Sequence, residues 1–86
     1  MNDYYFTFRS VTAAMQGGQL LRQNGVPAAT VRTPMELRQQ GCGYSLRVGE
    51  RVYRRAKELL DRANTPYRRL YRRQDGQWRE VQPCSI

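Results

Sequence analysis

Between Tyr4 and Arg9 the chain reads YYFTFR, with Tyr4, Phe6 and Phe8 on one parity and Tyr5, Thr7 and Arg9 on the other. Period-two alternation of this kind predicts a strand with two different faces. A strand with such an apolar face has to be covered, so the rest of the chain must supply a sheet and a layer over it. With 86 residues the chain has room for one domain and a modest core, burying about 60–65% of its unfolded surface.

Ser10 or Thr12 is placed to cap a helix with an apolar stripe of Ala13, Ala14, Leu20 and Leu21, ended by Asn24-Gly25. Gly17-Gly18 inside it costs about 1 kcal/mol per glycine relative to alanine, which close approach of helix to sheet would offset. A short strand is expected over Ala28 to Arg32. Thr33-Pro34-Met35-Glu36 has the form of a capping box, in which Thr33 caps, Pro34 takes the first helical position and Glu36 reaches back. One or two helical turns then run to Gln39 and break at Gln40-Gly41. Cys42 to Val48 alternates as a third strand. Gly49-Glu50 leads into a second helix ending near Ala63, with Val52, Ala56, Leu59 and Ala63 on one face and Tyr53 and Leu60 beside them. Asn64-Thr65-Pro66 stops it, a fourth strand follows from Tyr67 to Arg73, and Gln74 to Gln77 is a turn.

This order predicts an α+β domain, a ferredoxin-like split β-α-β-β-α-β sandwich with a four-stranded antiparallel sheet and two helices on one face. The domain is expected over residues 1–75, and residues 76–86 as a C-terminal tail that packs back, if at all, through Trp78. Right-handed crossovers are expected to set strands 1 and 3 side by side and parallel, with strands 4 and 2 outside them. Cys42 would then share an end of the sheet with the start of strand 1 and the end of strand 4. Cys84 would stand about two strand spacings away, roughly 10 Å.

The net charge of +8 is unevenly placed: residues 1–46 hold four arginines and two acids, residues 47–79 eleven Arg or Lys and four acids. A solvated helix and edge strand account for this, and so does attraction to an anionic partner, either nucleic acid or an acidic protein face. Histidine is absent and there are two cysteines, which argues against a zinc site and against a Cys-His nucleophile pair. No cofactor is expected. The acids are scattered and no Gly-x-x-x-x-Gly-Lys loop occurs, so an independent enzyme is not expected. No apolar run approaches the roughly 18 residues of a membrane span, and MNDYYFTFRS lacks a signal-peptide layout. A cytoplasmic protein with reduced thiols is the expectation.

The residue that attracts chemistry is Cys42, set between Gly41 and Gly43 where a loop becomes a strand. Flanking glycines remove side-chain cover from the thiol, whereas a free cysteine is otherwise often a small buried filler. A nucleophilic thiol needs nearby positive charge. Both long helices are expected to end near Cys42, where their dipoles disfavour a thiolate. Activation therefore falls to Arg38 first, with Arg32, Arg72 and Arg73 behind it, and to an anion-binding concavity of amides around Gly41 and Gly43.

The aromatic strand ending in Phe8-Arg9-Ser10, the Thr33-Pro34 and Glu36-Leu37 segment, and the Cys42-Gly43 pair together resemble the selenium/sulfur carrier protein-like family, over about residues 4–73. The resemblance implies a small carrier whose Cys42 holds a persulfide or selenosulfide. It would relay this between a donor protein, such as a cysteine desulfurase, and an acceptor protein. Thr33, Pro34 and Glu36 would then serve as the scaffold of the loop. The arginine content and the tail with Cys84 depart from the family pattern; Cys84 is either incidental or a resolving or relay thiol.

Two alternatives stand beside the carrier. RNA-recognition motifs share this topology and stack bases on sheet aromatics; here Tyr5, Tyr71, Arg47, Arg69 and Arg73 could line an open sheet face for nucleic acid. Against that, Gly43 to Val48 lacks the Lys/Arg-Gly-aromatic pattern of such motifs. The same face, rich in Tyr and Arg, could instead join two copies in a homodimer.

Overall fold

A computed structural model describes residues 2–40, 43–63, 65 and 67–81, with the backbone alone for residues 38–40. The alternating segment forms β1 (Asp3–Thr7), followed by α1 (Val11–Gln23), β2 (Ala29–Arg32), a 3-10 segment (Met35–Gln40), β3 (Tyr44–Gly49), α2 (Tyr53–Arg62), β4 (Arg69–Gln74) and β5 (Gln77–Glu80). These make an α+β domain with a five-stranded sheet in the order β2-β3-β1-β4-β5. Every neighbouring pair is antiparallel. The class is compatible with a ferredoxin-like sandwich extended by one edge strand.

Two expectations are corrected here. The sheet has five strands rather than four, because Asp75 and Gly76 both take positive φ (53° and 78°) and close a two-residue hairpin. Residues 77–80, expected in a tail, thereby become β5. Strands β1 and β3 are antiparallel, not parallel: Tyr4 faces Val48 and Thr7 faces Ser45. The crossover rule governs the parallel pairs β1/β2 and β3/β4, each of which has another strand between its members.

Local chemistry explains the helix limits. The Ser10 side chain accepts from the Ala13 N–H at 3.1 Å and caps α1. At its other end Gly25 takes φ +77°, the Gly25 N–H donates to the Arg22 carbonyl (3.1 Å) and the Val26 N–H to the Leu21 carbonyl (2.9 Å). This is a Schellman motif, with Val26 and Leu21 both in the core beside it. The Val52 cap of α2 makes no side-chain hydrogen bond. That helix is held instead by burial of Ala56 and Leu60 and by the stack of Tyr53 on Tyr4, with centroids 3.8 Å apart. Ala63, expected on its buried face, is exposed at the C-cap.

The main core lies between the helices and one sheet face: Tyr4, Phe6, Phe8, Ala14, Leu21, Val26, Leu46, Val48, Ala56, Leu60 and Leu70. The even residues of β1 therefore face the helices, as the alternation predicted. Gly17 and Gly18 are buried where α1 meets the sheet. A Cβ on Gly17 would come within 3.1–3.3 Å of Phe8, Leu46 and Leu60, so the expected close approach is present. The opposite sheet face is not open along its length. Tyr5, Leu37 and Tyr71 are buried there as a second cluster, with Val31 and Trp78 packed against it.

Candidate functional site

Gly41, Cys42 and Cys84 lie outside the described residues, as does the side chain of Arg38. What the structure gives is the frame that holds the ends of the Cys42 loop. The Thr33 N–H donates to the Gly43 carbonyl at 2.8 Å, closing the loop at its base next to the Arg32–Tyr44 pair of β2 and β3. The Thr33 hydroxyl shares a buried 2.7 Å hydrogen bond with the Ser45 hydroxyl. The Leu37 N–H donates to the Pro34 carbonyl at 2.8 Å, and the Leu37 side chain enters the second cluster. Thr33 and Pro34 thus hydrogen-bond at the base of the loop, with Ser45 as a partner the sequence did not reveal. Glu36 is exposed in the 3-10 segment.

The buried hydroxyl pair yields a test. Thr33→Val leaves the Ser45 hydroxyl without its partner and is expected to cost about 1–3 kcal/mol. The double variant Thr33→Val/Ser45→Ala should recover part of that loss, as read by denaturant unfolding of the four proteins of the cycle. Simple additivity would show that the pair is not coupled.

Antiparallel pairing of β1 and β3 changes the electrostatics around Gly43. Thr7 pairs with Ser45 and with Arg69, so the end of β1 and the starts of β3 and β4 share one end of the sheet. Since α1 follows β1, its N-terminus lies at this end, while α2 ends there. The expectation that both helices end near Cys42 is corrected accordingly. α1 packs on both β2 and β3, the strands flanking the loop. Its first turn carries no acidic residue, so the partial positive charge of its first amides is not neutralised from within the turn. Arg32, opposite Tyr44, also belongs to this end. Arg72 and Arg73 do not: they pair with Tyr4 and Asp3 at the far end of β1, about 10–13 Å away along the strand.

The route to Cys84 changes as well. Strand β4 leaves at the far end, and β5 brings the chain back until the Val81 N–H donates to the Leu70 carbonyl at 2.8 Å. Val81 is therefore about three strand spacings from β3, roughly 14 Å, rather than two.

Of the residues expected to line an open nucleic-acid face, Tyr5 is 4% and Tyr71 8% exposed. Trp78 meets Tyr5 edge-on at 4.9 Å, and Arg73 lies over the Trp78 ring at 5.6 Å. Burial pushes the Tyr71 phenol above its ordinary pKa of 10.0. Arg69 binds Glu80 at 2.7 Å, and Arg47 is exposed. Tyr5 and Tyr71 are too deeply buried to serve as platforms for bases, and nothing among the described residues supports that alternative. Among the described residues no group of three or more His, Cys, Asp or Glu could hold a metal, and no helix is long and apolar enough to cross a membrane.

Residues 3–72 match the family described as "Putative Se/S carrier protein-like". The chain belongs to this family. No curated protein and no solved structure matches it. The family segment contains Thr33, Pro34, the 3-10 segment, Gly41, Cys42 and Gly43, together with α1 and both helix-facing central strands. It stops at Arg72, before the turn, before β5 and before Cys84. In this Se/S carrier-like chain, β5, which covers the second face, and the second thiol lie outside the matched segment.

Proposed function

We propose that Cys42 carries sulfur or selenium as a persulfide or selenosulfide, received from a donor protein such as a cysteine desulfurase and handed to an acceptor protein. The observation that carries this is the family match, which spans the Gly41-Cys42-Gly43 motif. The frame around it suits the role. Gly43 is exposed, the loop base is pinned by the Thr33 amide, and the positive end of α1 lies at the same end of the sheet. Positive charge raises the thiolate fraction, and the thiolate is the form that attacks a sulfane sulfur. Arg38 and the amides of Gly41 and Gly43 are proposed to stabilise it, with Arg32 behind them. The chain is a carrier without turnover of its own in this proposal, working in a reducing cytoplasm where the thiol stays available.

The test is intact-protein mass after incubation with a cysteine desulfurase and cysteine, for the wild type, Cys42→Ala and Cys84→Ala. The expected result is a gain of one sulfur atom in the wild type that disappears with dithiothreitol and is absent from Cys42→Ala. Loss in Cys84→Ala as well would make the pair a two-thiol relay. A folded wild type whose Cys42 neither gains sulfur nor reacts with iodoacetamide would overturn the proposal.

A further inference from the structure

Along α1, Ala14, Gly17, Gly18 and Leu21 face the core. Val11, Met15, Gln19 and Arg22 form a second stripe at i, i+4, i+8 and i+11, which also lies along one side of a helix. With Thr30 of β2 and Tyr44 of β3 this stripe lines a groove of about 600 Å³. Among the described residues the exposed large apolar side chains are Val11 (42%), Met15 (57%), Met35 (78%) and Tyr44 (37%). Three of the four line this one groove. The fourth, Met35, opens the 3-10 segment just beyond the end of β2. Scattered apolar side chains on a surface need no explanation, but a cluster on an otherwise charged small protein marks an interaction site. This cluster lies where the Cys42 loop joins the sheet, Tyr44 being two residues from Cys42.

The charged residue that lines the groove is a cation. Arg22 is on its wall, its guanidinium donating to the Ala28 carbonyl at 3.0 Å. Arg32 stands opposite Tyr44 on the same sheet face and is exposed, and Arg9 just precedes α1. Neither Arg9 nor Arg32 makes an ion pair among the described residues, and no carboxylate lines the groove.

We propose that this groove docks the sulfur donor, through the segment that bears its persulfide, a stretch with one or two apolar side chains flanked by carboxylates. This rests on the carrier role of Cys42. Apolar side chains seat against Val11, Met15 and Tyr44, and carboxylates face Arg9, Arg22 and Arg32, so that complementary charge orients the approach. The Cys42 thiolate then attacks the outer sulfur of the donor persulfide. A new S–S bond forms on Cys42, the donor's S–S bond breaks, and the donor leaves as a thiolate, with no external oxidant or reductant.

The experiment compares two sulfur donors, cysteine desulfurase charged with cysteine and glutathione persulfide, on the full chain. Read by mass, Met15→Glu and Arg9→Gln are expected to raise the carrier concentration for half-maximal transfer from the desulfurase at least about tenfold and several-fold respectively. Met15→Leu should behave as wild type. Glutathione persulfide, too small to need the groove, should load all four proteins at one rate. Equal transfer from the desulfurase to wild type and Met15→Glu overturns the docking site and leaves the carrier role standing. Loading by glutathione persulfide alone, with none from the desulfurase in the wild type, also overturns the docking site. Failure of both donors on the wild type overturns the carrier role, and the docking site with it.

Discussion

Gly17→Val is expected to cost more than about 3 kcal/mol and to lower the unfolding midpoint by 12 °C or more. An alanine Cβ at this position already lies 3.1 Å from the Phe8 ring, 3.2 Å from Leu46 and 3.3 Å from Leu60. All three side chains are fully buried, so none has solvent to swing into. Two opposing terms therefore meet in Gly17→Ala. The helix gains about 1 kcal/mol in propensity, and the crowded contact takes back about 1–3. The net is a loss of about 1 kcal/mol. Valine adds two methyl groups to the same gap and brings a weaker helix preference, so the crowding term dominates. Gly49→Ala is the control, because a Cβ there meets nothing within 4 Å and its φ is not in the left-handed region. Thermal unfolding by far-UV circular dichroism separates these cases. A Gly17→Val protein as stable as wild type would mean that α1 can lift off the sheet. In that event the groove beside it would not be a fixed surface.

The same glycine pair shows how far physical reading of the chain reached. Its cost in helix propensity demanded a compensating contact, and the contact is there. The alternation in β1, the Ser10 cap and the Asn24-Gly25 stop were legible for the same reason: each is a local rule with a local cause. The arrangement of strands was not local. Parallel and antiparallel neighbours depend on which strand is inserted between which, and the crossover rule was applied to β1 and β3 when it governs β1 and β2. That one inversion moved the ends of α1, Arg72 and Arg73 relative to Cys42. The charge expected around the loop changes with it, although the arginines themselves are plain in the sequence.

The groove was missed for a related reason. Val11 and Met15 are apolar but lie outside the stripe that makes the core, which is Ala14, Gly17, Gly18 and Leu21. A second apolar pair at i and i+4, outside the core stripe, was the available signal. The Thr33–Ser45 pair had none, since two hydroxyls twelve positions apart meet only once β2 and β3 are placed side by side. β5 did have a signal. Asp75-Gly76 is a strong two-residue hairpin turn, but Gln77 to Glu80 offers a single apolar side chain, Trp78, and no alternation to match it.

That single side chain carries the second large effect. Trp78→Ala is expected to cost about 2–4 kcal/mol, near the lower part of the range for removing a large aromatic, because the ring is only half-buried. The loss has three sources. Apolar cover is removed from Tyr5 and Tyr71, the edge-on contact with Tyr5 at 4.9 Å disappears, and Arg73 loses the ring beneath it at 5.6 Å. An aromatic pair contributes about 0.5–1.5 kcal/mol beyond its buried area and an exposed cation–π contact about 0.5–1. If the second sheet face were open, as a four-stranded sheet would leave it, the same substitution would be a surface change worth at most about 0.5 kcal/mol. The measurement therefore decides whether β5 belongs to the folded unit. Urea unfolding followed by far-UV circular dichroism is the suitable readout, since Trp78 is the chain's one tryptophan and its fluorescence is lost with it. Below the melting transition, sulfur loading of Cys42 in Trp78→Ala should match wild type. β5 lies three strands from β3 and outside the family segment, and although Trp78 shares a cluster with Leu37, the hydrogen bonds at the loop base, Thr33 to Gly43 and Thr33 to Ser45, are expected to hold without it.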